Sequence, residues 1–116
     1  MKTDLNWMTI STIEEVDKAI ADSFSKPCVF FKHSVTCGIS AAAQYRLHSH
    51  WNFQKTEMNF YYLDLLANRS VSNYIADRLK VIHQSPQIIV VIDGEVIFHN
   101  SHHGISVDSL AKGLLV

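Results

Sequence analysis

The sequence predicts a three-layer α/β sandwich on a mixed, four- to five-stranded sheet, with element order β-α-β-α-β-α-β-β-α. Two segments, Cys28 to Lys32 and Asn59 to Leu65, read as strands buried on both faces. Stretches with helical apolar spacing stand between the strands. Asp93-Gly94, between Gln87–Ile92 and Glu95–His99, is a two-residue hairpin signal. Helical crossovers predict parallel strands, and the hairpin adds an antiparallel pair at one side.

Taken in order, Leu5 to Ile10 is short and apolar and reads as a weak edge strand. Ser11 and Glu14, or Thr12 and Glu15, have capping-box spacing, and Ile13, Val16, Ile20 and Phe24 recur on one helical face. Lys26-Pro27 ends that helix. After the first buried strand, Gly38 to Trp51 is helical, with Ile39, Ala42, Ala43, Leu47 and Trp51 in one stripe. Ser70 is expected to cap the next helix, whose inner face carries Val71, Tyr74, Ile75 and Leu79. A last helix spans roughly Ser106 to Leu115. No repeat, linker or low-complexity tract interrupts the chain, so residues 1–116 are expected to form a single domain.

Composition narrows the function. Ten Lys and Arg stand against eleven Asp and Glu, a net charge of −1, which removes the electrostatic footprint of a nucleic-acid binder. No apolar run approaches the roughly 20 residues that cross a bilayer, and the N-terminus shows no signal-peptide pattern. Two cysteines are too few for a disulfide scaffold. The expectation is a cytoplasmic, reduced protein with no nucleic-acid or membrane partner.

Sites in such sheets form beyond the carboxyl ends of the strands, at helix N-termini. There the sequence reads Lys32-His33-Ser34-Val35-Thr36-Cys37-Gly38-Ile39-Ser40. A thiol at the start of a helix meets unpaired N–H groups and the positive end of the macrodipole, both of which favour the nucleophilic thiolate. Lys32 and His33 add to this if they face the same end of the sheet, and Ser34, Thr36 or Ser40 can donate a hydrogen bond to sulfur. Cys28 is no disulfide partner for Cys37. Strand rise of about 3.3 Å per residue puts it on the order of 15–20 Å away, against the roughly 7 Å Cα separation that a disulfide allows. Ser40 stands where the second cysteine of a Cys-x-x-Cys pair would be, so the chemistry is monothiol. Ser85-Pro86-Gln87 precedes an apolar strand. Pro is normally excluded from central strands, and beside an upstream helix-start Cys it reads as a cis-proline facing the site.

Seven histidines raise a metal reading, with His99, His102 and His103 foremost and His48 and His50 near one another. Neither a second Cys nor a carboxylate cluster joins them, and zinc needs three or four converging ligands. No metal and no bound cofactor are therefore expected.

The segment Lys32 to Ala41 resembles the Lys-His-Ser-x-Thr-Cys-Pro-Ile-Ser-x stretch of the monothiol bacilliredoxins, also called the general-stress YtxJ family. Val71-Ser72-Asn73-Tyr74-Ile75-Ala76, His83-Gln84-Ser85-Pro86-Gln87, Asp93-Gly94-Glu95-Val96 and His102-His103-Gly104-Ile105 with Ser109-Leu110 resemble it too. The similarity runs from about Glu14 to Leu110 and implies a thioredoxin-like fold. It also implies an enzyme of redox homeostasis that strips bacillithiol from capped protein cysteines, with Cys37 attacking, Thr36 and Ser40 flanking it, and Pro86 and Ser85 pairing with substrate. Bacillithiol would be co-substrate, and S-bacillithiolated proteins the partners. The family's Pro after the Cys is Gly38 here, which changes the first helical turn and leaves one more N–H near the sulfur. A non-catalytic thioredoxin-like binding module or redox sensor, with Cys37 as a reversible switch, is the competing expectation.

Overall fold

The computed structural model describes residues 7–34, 38–50 and 58–114. Among these residues, five strands, β1 (Trp7–Thr9), β2 (Cys28–His33), β3 (Asn59–Asp64), β4 (Gln87–Ile92) and β5 (Glu95–Ser101), form one sheet in the order β1-β3-β2-β4-β5. Four helices among them, α1 (Ile13–Asp22), α2 (Gly38–His50), α3 (Arg69–Leu79) and α4 (Val107–Leu114), cover its two faces, and a 3₁₀ turn (His102–Gly104) precedes α4.

Strand β2 lies at the centre, and all six of its residues are buried. Its side chains alternate between two cores. Cys28 and Phe30 pack with Val16, Ala19 and Ile20 of α1 and Val71, Ile75 and Leu79 of α3. Val29 and Phe31 pack with Ala43 and Leu47 of α2 and Val107 and Leu110 of α4. This is the three-layer sandwich expected.

One expectation about strand direction fails. β1 and β2 run parallel to β3, as crossovers require, but β4 is antiparallel to β2. The cause is the route taken after α3. Lys80 leaves the helix in the left-handed conformation, φ 59, ψ 41. Residues 81–86 then run back alongside α3, so the connection ends where β3 ended and β4 must descend. Hydropathy period distinguishes strand from helix but is blind to chain direction.

Smaller departures have local reasons. The capping box is the Thr12–Glu15 pair: Thr12 Oγ1 accepts from Glu15 N at 3.1 Å, and the Glu15 carboxylate accepts from Thr12 N at 3.1 Å. Ile13 is therefore the first helical residue and lies partly in solvent, whereas Phe24 falls beyond the helix end and is exposed. Ala42 faces outward, one position from buried Ala43. Trp51 lies outside the described residues, as do Leu5 and Leu115 at the expected ends of the first strand and last helix. Asn68, not Ser70, occupies the N-cap of α3, with its side-chain amide donating to Asp64 O at 3.1 Å. β5 continues two residues past His99, to Ser101.

The β4–β5 turn has Asp93 at φ 53 and Gly94 at φ 78, both in the left-handed region that a type I′ hairpin needs. Its tip is fixed to the end of α1: Asp93 N donates to Ser23 O at 3.0 Å, and Gly94 N to Ser23 Oγ at 2.9 Å. A Cβ on Gly94 would also come within 3.0 Å of the Phe24 ring. Gly94→Ala is expected to cost about 1–2 kcal/mol in urea unfolding, the penalty of a left-handed L-residue. Gly38→Ala, at a helix start with nothing within 4 Å of the new Cβ, should cost nothing. Equal effects at the two positions would contradict this account of the turn.

Candidate functional site

The carboxyl end of β2 delivers its last two residues to opposite faces of the sheet. His33 lies on the α2–α4 side, its ring stacked on Phe31 (5.7 Å between centroids) and tilted against Tyr62 (5.5 Å). Lys32 lies on the α1–α3 side and has no exposed surface (0%). Its Nζ donates to Ser72 O in the first turns of α3 at 3.1 Å and sits 3.2 Å from His83 Nδ1. Ser72 Oγ is 3.3 Å from the same nitrogen. Burial lowers the Lys32 pKa to about 8. The two basic residues thus share one end of the sheet but not one face, and Lys32 meets α3 rather than the side on which α2 packs.

β4 begins at this same end, because Gln87 is the antiparallel partner of Lys32. Immediately before it, the Ser85–Pro86 bond is cis, as the sequence pattern expects. Pro86 is buried and Ser85 half-buried. Pro86 O accepts from His102 N at 3.1 Å. Arg46, midway along α2, donates from Nε to Ile105 O and from Nη2 to His102 O, each at 3.0 Å. The 3₁₀ turn therefore ties α2 to the proline that leads into β4. Gly104 lets it close, since a Cβ there would overlap the Asn100 amide.

Thr36 and Cys37 lie outside the described residues. Gly38 opens α2 and is exposed, with room around its Cα. Ser40 is in the first turn of that helix, its side chain also outside the described set. Lys32 and His33 close β2, Gly38 opens α2, and Ser85 and Pro86 lead into β4 at the same end of the sheet as Lys32. Cys28 stands at the other end of β2, paired with Asn59 and Val91 and fully buried. Burial, aided by the negative charge of Asp22, pushes its thiol pKa well up, so it stays protonated and unreactive. Among the described residues, no group of three or more His, Cys, Asp or Glu converges as metal ligands would.

The sequence reading missed Ser72, His83, Arg46 and His102 as site-building residues. One signal for the first two was present: a lysine closing an apolar strand must find acceptors if buried. Arg46 acts through backbone carbonyls and left no pattern to read.

The family model of monothiol bacilliredoxin BrxC matches residues 8–110. A solved structure described by its thioredoxin fold is 33% identical, with TM-score 0.80 and 92% of each chain covered. The thioredoxin of Malassezia sympodialis (12% identical, TM-score 0.75, 99% of this chain and 93% of that one) shares the fold. So does the thioredoxin of Trypanosoma brucei brucei (14%, TM-score 0.72, 95% and 88%).

Lys32 gives this end of the sheet a measurable signature. Its folded pKa of about 8 lies below the ordinary 10.5, so between those values the unfolded chain holds a proton that the folded chain has released. Stability should therefore rise with pH across that window. In Lys32→Met, which replaces the buried cation with an apolar chain of similar length, this contribution is absent, and stability at pH 7 should match or exceed wild type. Urea unfolding at pH 7.5, 8.5 and 9.5 checks it: the wild-type curve should climb relative to the variant, and parallel curves would contradict the burial of a charged Lys32.

Proposed function

The chain belongs to the monothiol bacilliredoxin family, and on that premise we propose that it removes bacillithiol from mixed disulfides on protein cysteines. The thioredoxin fold and the family support a thiol oxidoreductase; the identity of the thiol is the proposal's own step. One observation carries the monothiol reading. Cys28 is sealed in the sheet at the end of β2 away from the loop, its thiol held protonated, which leaves Cys37 as the cysteine available for exchange.

The Cys37 thiolate attacks the bacillithiol sulfur of a protein–S–S–bacillithiol disulfide. The S–S bond breaks, the protein cysteine departs as thiolate and takes up a proton, and bacillithiol remains disulfide-bonded to Cys37. A second bacillithiol thiolate, or the thiol of a partner reductase, then attacks the bound bacillithiol sulfur and returns Cys37 to its reduced form. In the first case the product is bacillithiol disulfide. The N–H groups of the first turn of α2 have no partner within the helix and favour the anion. Thr36 and Ser40 flank the nucleophile, with His33 on the α2 side of β2. Ser85, held beside Pro86 at the mouth of β4, offers its backbone to the chain of the incoming substrate. The proposed compartment is the cytoplasm, where small thiols keep cysteines reduced; among the described residues, no helix is long and apolar enough to cross a membrane.

De-thiolation of a bacillithiolated test protein, followed by mass, decides the matter. Cys37→Ser should abolish turnover while Cys28→Ala leaves it near wild type. Turnover that survives in Cys37→Ser removes the enzyme reading. A wild-type chain that accepts bacillithiol once but never turns over supports a thiol switch instead.

A further inference from the structure

Residues 81–86 carry Ser85 and Pro86 into β4, and two side chains clip this segment down. Gln87, buried at 1% exposure, folds back so that its Nε2 donates to Ile82 O at 3.0 Å and its Oε1 accepts from Gln84 N at 3.4 Å. An amide does not titrate, so that clip is indifferent to pH. The other clip is His83, whose Nδ1 lies 3.2 Å from Lys32 Nζ and 3.3 Å from Ser72 Oγ. An ammonium can only donate, so Nδ1 is the acceptor and the ring proton is on Nε2. The geometry therefore requires neutral imidazole.

A second proton would turn that acceptor into a donor and set an imidazolium against an ammonium buried in the sheet. Among the described residues, the charged groups that act on His83 are Lys32 from β2 and Arg69 from α3, both cationic. After burial, these two charges are what lower its pKa from the ordinary 6.5. Among the described residues, no carboxylate is one of the groups that act on it.

We propose that His83 is a positioning residue whose neutral form clips the 81–86 segment, and with it Ser85, to Lys32 and Ser72, and whose protonation releases that clip. The sign follows from the contacts: the clip holds at neutral and alkaline pH and opens in mild acid, while Gln87 keeps the segment attached. The value of this device rests on the proposed role of Ser85 and Pro86 in binding substrate. The clip itself is tested without substrate, so loss of the enzyme reading and loss of the clip are separate results.

The experiment is an NMR titration of the full reduced chain from pH 8 to 5, following the His83 ring carbons and the backbone amides of Ile82, Gln84 and Ser85. In wild type the ring should titrate below 6.5, the ordinary value, and the three amides should shift with the same midpoint. In His83→Asn, whose side-chain oxygen can take the place of Nδ1 without titrating, those amides should hold still. In Lys32→Met the His83 midpoint should move up, because the facing cation is gone. A His83 that titrates at or above the ordinary value in wild type, or amides that shift equally in His83→Asn, would overturn the proposal.

Discussion

Burial of β2 on both faces is the constraint from which the site follows. A strand covered by α1 and α3 on one side and by α2 and α4 on the other has no solvent face to which polar side chains can turn. Cys-Val-Phe-Phe meets that demand with apolar groups. Lys32 and His33 cannot, and they are buried all the same. A buried ammonium is tolerated only with acceptors around it, so Lys32 recruits the carbonyl of Ser72 and the ring of His83. One demand at the strand end thereby fixes α3 and the approach to β4 to the same point.

The two faces divide the work. On the α2 side, His33 packs among aromatic rings, and Arg46 reaches across to the 3₁₀ turn, whose His102 N–H holds Pro86 O. On the α3 side, Lys32, Ser72, His83 and Gln87 govern where residues 81–86 lie. Pro86 stands where these systems meet, gripped from one side by the turn and from the other by the segment before it. In the proposed attack of a thiolate on a disulfide, the attacking, central and leaving sulfurs must align, so the substrate chain has to be held in register with the thiol. Backbone held from both faces provides such a register.

Much of this was legible in the sequence because the relevant residues have few alternatives. Asp93-Gly94 must be a hairpin tip, since both φ angles are positive and few other pairs tolerate that. Strand rise alone was enough to read Cys28 as too far from Cys37 to pair with it, and Pro86 was readable as cis from its company. The direction of β4 was not readable, because it depends on Lys80 ending α3 and on residues 81–86 doubling back, which hydrophobic period does not encode. The Ser72–His83 partnership was equally hidden: it joins residues 40 and 51 positions from Lys32, and the packing of α3, not any local pattern, creates it. Even the choice between two capping boxes one residue apart was settled only by where α1 begins.

In the proposed reaction a single sulfur, that of Cys37, carries the chemistry as a thiolate while its counterpart at the far end of β2 stays silent. The most direct measurement is the pH dependence of alkylation by iodoacetamide in the folded, reduced chain, with each cysteine quantified separately by peptide mass. Cys37 should show a midpoint well below the free-thiol value of about 8.5, with Cys28 unlabelled throughout. A Cys37 midpoint at or above that value, or labelling of Cys28 at a comparable rate, would contradict it.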